Sequence, residues 1–222
     1  MGAGSLLQGV QGLLERTYGM RTRLDAARFV IGDLGYRTFY VEVRSGGPER
    51  GARTLVRETG EGVRAAIYYP DGMIAALERH PPHRGLIEAN VDAFAALVEE
   101  LDHLLCIAEA AERARPVSLL ELELHADVSK ALVLSRFLAG RDARPLDPER
   151  RTWLRYHLFH KGEWMGETAA ECARYREAAR LALRFLDAVE RLRPETRLQV
   201  LRTFHAASGA GKRELIQQLP AA

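Results

Sequence analysis

Residues 94–109 read FAALVEELDHLLCIAE, and the reading of this stretch decides what surrounds it. Extended to 86–113 and wound at 100° per residue, it predicts a helix with one apolar stripe: Leu86, Asn90, Phe94, Leu97, Leu101, Leu104 and Ala108. Glu99 and His103 lie on the other side, four residues apart and therefore adjacent, with Glu100 between them and the stripe. That second face also carries Ala95, Ala96, Cys106 and Ile107, which is not the composition of a solvated surface. No Lys or Arg occurs from Gly85 to Glu112, while seven acids do. A helix of this kind at the centre of a fold needs a cationic partner. Two are open: a metal ion, or the arginine stripe Arg176, Arg180, Arg184, spaced by four on a later helix.

The charge around it is uneven. Formal net charge is only +2 over 222 residues, yet residues 85–140 hold 4 basic against 10 acidic residues. The acids are therefore concentrated where the helix lies. Apolar residues at 47% and charged residues at 28% describe a globular chain with a real core. No apolar run reaches the roughly 18–20 residues that span a bilayer, and the opening helix, 5–18, is amphipathic, so no membrane association is expected. Two cysteines, Cys106 and Cys172, form no disulfide framework and point to a reducing, cytoplasmic setting. Arginine far exceeds lysine, which with abundant alanine suggests a high-GC bacterial gene.

Upstream, the β-rich run 36–43 ends at Ser45-Gly46-Gly47-Pro48. ARTLVRET and GVRAAIYYP, joined at Gly60-Glu61-Gly62, predict a hairpin. Downstream the chain reads as helical: 118–139 from Ser118, 148–160 from Pro148, 167–193, and 194–206 from Pro194. The fold class is α+β, a small N-terminal antiparallel sheet followed by a mainly helical body. Residues 1–140 are expected as an α+β core and 141–222 as a helical extension.

Glu99-Glu100-Leu101-Asp102-His103 is one letter from the H-E-x-x-H helix of zinc peptidases. Twenty positions after His103 comes Glu123, and four further on Asp127, within LELELHADVSK. Together with a preceding small sheet, 36–139 resembles a degenerate zincin of the glutamate type. The resemblance implies Glu100 as general base, Glu99, His103 and Glu123 as metal ligands, and Asp127 as the acid that supports a ligand. Glu99 stands where that family has its first histidine. A Glu/His/Glu set adds negative charge to the ion, makes its bound water less acidic, and suits iron or manganese as well as zinc. The implied role is non-catalytic or regulatory, through a protein partner that contacts the helical body. An active divalent-metal hydrolase and a helical adaptor with no ancestral site are the alternatives.

Other histidines are read as peripheral. His157 and His160 sit beside Arg155 and Lys161 and are expected at the surface, as is His205. His80 and His83 flank Pro81-Pro82 as candidate ligands or site-wall residues. A di-iron bundle would use Glu100 and His103 but needs a second E-x-x-H, where Glu121 and His125 offer i, i+4. Ser208-Gly209-Ala210-Gly211-Lys212 lacks the first glycine, the final Ser/Thr and the preceding strand of a phosphate loop. Acids nearly balance the arginines of the last third without aromatic interleaving, which argues against nucleic acid.

Overall fold

A computed structural model describes residues 3–40, 51–60, 62–140, 145–161 and 168–220. Helix α1 (Ala3–Tyr18) leads through a short 3-10 turn into β1 (Val30–Ile31), α2 (Asp33–Tyr40) and the hairpin β2 (Arg53–Thr59) and β3 (Gly62–Tyr68). Then come α3 (Asp71–Arg79), α4 (Val91–Glu112), α5 (Leu119–Ala139) and α6 (Pro148–Arg155), which runs on as a π turn over Tyr156–His160. The described chain closes with α7 (Ala169–Glu190), α8 (Pro194–Ala206) and α9 (Gly209–Gln218). The class is α+β, a small three-stranded sheet followed by a helical body.

The sheet is mixed rather than purely antiparallel. Its order is β1-β3-β2, with β2 and β3 in the expected hairpin register from Arg53↔Tyr68 to Thr59↔Gly62. Gly62 sits at φ +130°, which a side chain would resist. β1, however, pairs parallel with β3 through Val30↔Ile67 and Ile31↔Tyr68. The run 36–43 is not the strand its composition predicts: residues up to Tyr40 belong to α2. Here tertiary contacts override β-propensity. Tyr36 stacks on Tyr68 at 4.3 Å between ring centroids, and the Tyr68 hydroxyl donates to Asp33 at 2.6 Å. That arrangement uses positions 33 and 36, three apart, as a helix does. Residues 41–43 and the Ser45–Pro48 turn lie outside the described residues.

α4 is the axis of the molecule. The hairpin base covers one flank: the Tyr69 hydroxyl donates to Leu97 O, and the Thr54 hydroxyl to Glu100. α5 covers another, and α7 packs on α5. Buried residues therefore fall all around α4, including Val98, Leu105, Cys106 and Ala110 as well as the predicted stripe from Leu86 to Leu104, while Ala108 is only half-buried. The helix starts at Val91, five residues later than periodicity suggests. Asn90, itself buried, accepts from Ile87 N and donates to the carbonyls of His80 and Gly85, holding 85–90 as a folded connector. Helix starts at Ser118, Pro148 and Pro194 fall as predicted, with Ser118 and Asp147 accepting from N–H groups of the first turn. One continuous apolar core joins residues from α1 through α9. Among the described residues no helix is long and apolar enough to cross a membrane.

Candidate functional site

Glu99, Glu100 and His103 project from α4 on adjacent turns. Glu123, Asp127 and Lys130 project from α5 at spacings of four and three, and Arg174 reaches in from α7. One side-chain oxygen or ring nitrogen from each of Glu99, His103 and Glu123 lies within 4.8 Å of the others. The three expected ligands thus do converge. Glu100 stands at the same place, its carboxylate 3.5 Å from His103 Nδ1 and receiving the Thr54 hydroxyl at 2.8 Å. Asp127 does not meet an imidazole. It receives Lys130 Nζ at 2.9 Å, and the same ammonium donates to Glu99 at 2.8 Å.

The seven groups form a nearly closed charge cluster. Burial alone would raise the Glu99 carboxyl, but Lys130 and His103 outweigh it and hold it below the usual range. Burial would likewise lower Lys130, yet Asp127 and Glu99 keep its ammonium well above its ordinary value. Burial opposes charge on His103 as well, but Glu100, Glu99 and Glu123 push it up to about 9. At Glu123 burial prevails: it raises the carboxyl to about 7 against the pull of His103 and so favours the uncharged form. Asp127 is raised too, chiefly by burial. Two buried nitrogens here have no hydrogen-bond partner, His103 Nε2, 3.9 Å from Glu123, and Arg174 Nε, 3.8 Å from Glu123.

The compensating cations are therefore not the expected stripe. Arg176, Arg180 and Arg184 are exposed; Arg180 pairs with Glu177 of its own helix, and Arg184 donates to Gln217 O. The reason is the phase of α7. Its buried face includes Ala178, Ala179, Leu181, Ala182, Phe185 and Leu186, which turns 176, 180 and 184 outward and Arg174 inward.

A second cluster lies farther along the α4–α5 groove, and the sequence reading does not assemble it. Buried Asp102 accepts His125 Nδ1–H at 2.8 Å and the Ser129 hydroxyl at 2.7 Å, and the Tyr18 hydroxyl lies 2.8 Å from that of Ser129. Burial would raise Asp102, but His125 and Ser129 overcome it and keep the carboxyl low. His125 Nε2 faces His205 Nδ1 at 3.0 Å, and His205 Nε2 faces Glu109 at 2.5 Å. Burial and the neighbouring His125 push His205 down to about 4. The Cys106 sulfur is 3.4 Å from His125 Nδ1, and burial and Asp102 raise its thiol. Asp102 and Cys106 share one nitrogen of His125, so this is no nucleophile–base–acid triad, which needs the two groups on opposite nitrogens.

His205 is thus buried, not at the surface, because α8 lays it between α1 and α5, where the Tyr18 ring packs against it at 5.3 Å. His157 is buried too, 4.4 Å from the Trp153 ring and bonded to Glu88 at 2.8 Å, while His160 and His83 are exposed. Ser208–Lys212 proves to be a helix start: Ser208 caps α9, Gly209 N donates to Glu121, and buried Lys212 donates to Glu121 and to the carbonyls of His205 and Ala207. The feature that could have hinted at the second cluster is the pair Asp102 and Cys106, four apart and so on one face of the helix.

No family model, curated protein or solved structure matches this chain.

Proposed function

We propose that this chain is a zincin-like protein whose metal position has become a fixed ion network, and that it acts without catalysis, through protein contacts of its helical body. The observation that carries this is Lys130, whose ammonium bridges Glu99 and Asp127. A dication ligated by Glu99 would have to displace that ammonium from a buried site. It would also have to strip the proton from His103, which the surrounding carboxylates hold up to about 9. Three features support the ancestry: the small sheet against α4, Thr54 of β2 touching Glu100, and the next helix bringing Glu123 to His103.

A second reading rests on one observation. His103 Nε2 is buried, without a hydrogen bond, and faces Glu123, as a ligand nitrogen would. An active metal-dependent hydrolase would use Glu99, His103 and Glu123 to hold zinc, iron or manganese, with Glu100 taking the proton of the attacking water. Peptide hydrolysis with each metal added, in wild type and Glu100→Gln, decides between the two, together with metal content of wild type and Glu123→Ala. The non-catalytic reading expects no turnover that depends on Glu100 and the same metal content in Glu123→Ala. Turnover lost in Glu100→Gln, with metal lost in Glu123→Ala, would replace it by the hydrolase.

A further inference from the structure

The second cluster stands apart from the acidic centre and has its own chemistry. Each imidazole is held by a buried carboxylate on one nitrogen: Asp102 on His125 Nδ1 and Glu109 on His205 Nε2. Carboxylates placed in this way set the tautomer and orientation of histidines that ligate metals. The two remaining nitrogens, His125 Nε2 and His205 Nδ1, face each other at 3.0 Å. If both carboxylates are ionised and both N–H groups point to them, two lone pairs meet head-on, which is repulsive. The row of bonds closes only when one further positive charge lies in it. That charge is a proton, passed between Glu109, His205 and His125, or it is a metal ion.

We propose that Cys106, His125 and His205 form a zinc site in which the ion takes the place of that shared proton. One donor atom from each of the three lies within 4.8 Å of the others, all on buried residues. A cavity of about 10 Å³ beside them, lined by Cys106, Glu109, His125, His205 and Lys212 among others, has room for about one water as fourth ligand. Two nitrogens about 2.05 Å from a tetrahedral ion stand about 3.3 Å apart, so the imidazoles part by only a few tenths of an ångström. The sulfur, now 3.4 Å from His125 Nδ1, has to swing toward the Nε2 side to complete the set. Its thiolate with two imidazoles is the borderline-soft set that zinc prefers.

Charge balance selects a dication. On binding, Cys106 S–H loses its proton as the sulfur–zinc bond forms, and the proton shared along the histidine row also leaves. Zn2+ thus exchanges for two protons, and the net charge of the buried site does not change. Lys212 does not oppose this, since Glu121 and two backbone carbonyls hold its ammonium.

Chelator-stripped, reduced protein titrated with Co2+ alone tests the site. One equivalent is expected to bind with a thiolate-to-cobalt charge-transfer band and the strong visible bands of a four-coordinate ion, both erased by Zn2+. Calorimetry of Zn2+ binding in buffers of different ionisation enthalpy is expected to show about two protons released per ion, a readout on wild type that needs no variant. Cys106→Ser removes the charge-transfer band and about one of the protons, and His205→Gln weakens binding at least tenfold. Cys172→Ser and Glu123→Ala leave band and stoichiometry unchanged, which separates this site from the acidic centre and its proposed role. Absence of the band in wild type, its persistence in Cys106→Ser, or proton release near zero overturns the assignment.

Discussion

Replacing Lys130 with Met keeps most of the buried stem and removes the ammonium that bridges Glu99 and Asp127 at 2.8 and 2.9 Å. Only about an eighth of the lysine side chain is exposed, so water cannot take its place freely. Breaking a buried ion pair by deleting one partner costs about 3–5 kcal/mol, because the abandoned charge keeps its desolvation penalty. Here two carboxylates are abandoned and share that cost. At neutral pH the variant is expected to unfold about 3–4 kcal/mol more easily than wild type in chelator-treated urea titrations. The pH dependence sharpens the test. Without Lys130 the Glu99 carboxyl loses the cation that holds it low and Asp127, already raised by burial, rises further, so the folded state binds more protons and the variant gains stability as pH falls. By about pH 4 the deficit should shrink to about 1 kcal/mol. Neutralising both acids in Lys130→Met/Glu99→Gln/Asp127→Asn should recover most of it at pH 7. A Lys130→Met deficit under about 1 kcal/mol at pH 7, or one that the triple variant does not relieve, would refute the idea of a tightly coupled network.

Wild type itself, with chelator present, should lose stability from about pH 5 to pH 9. His103, raised to about 9, contributes fully below its unfolded value and less as pH climbs through 9; Glu123, raised to about 7, loses its favourable proton on the way up to 7. A fall of about 2–4 kcal/mol in urea-derived stability is expected, flattened in His103→Gln and in Glu123→Gln. Arg180→Ala should change stability by no more than about 0.5 kcal/mol in thermal melts, since the side chain is exposed and pairs only within its helix. Asn90→Ala should cost about 2–3 kcal/mol, leaving Ile87 N and two carbonyls without their partner, and should be read by hydrogen exchange at 85–91 as well as by melting.

Whatever repeats every three or four residues was legible in the chain. Glu99 and His103 meet because they are four apart on one helix, and Glu123 and Asp127 share a face for the same reason; Lys130, three residues further on, follows the same spacing, but the sequence reading looked to a metal or the arginine stripe for the compensating charge. Helix starts at Ser118, Pro148 and Pro194 follow from capping chemistry within one turn. The hairpin follows from two β-rich runs and the glycines between them. Other features depend on which surfaces come to face each other. The phase of α7 against α5 decided that Arg174, and not the arginine stripe, enters the acidic centre. Packing of Tyr36 on Tyr68 turned a β-rich run into α2, and Val30–Ile31 became a parallel strand by pairing with a segment more than thirty residues later. The histidine row needed most from the tertiary structure. His205 and His125 are 80 residues apart, and no local period links them. Local geometry acts through bonds of fixed length along the chain, so a sequence displays it directly. The meeting of α4, α5 and α8 is chosen by the burial of a whole apolar surface, which no single stretch of the chain contains.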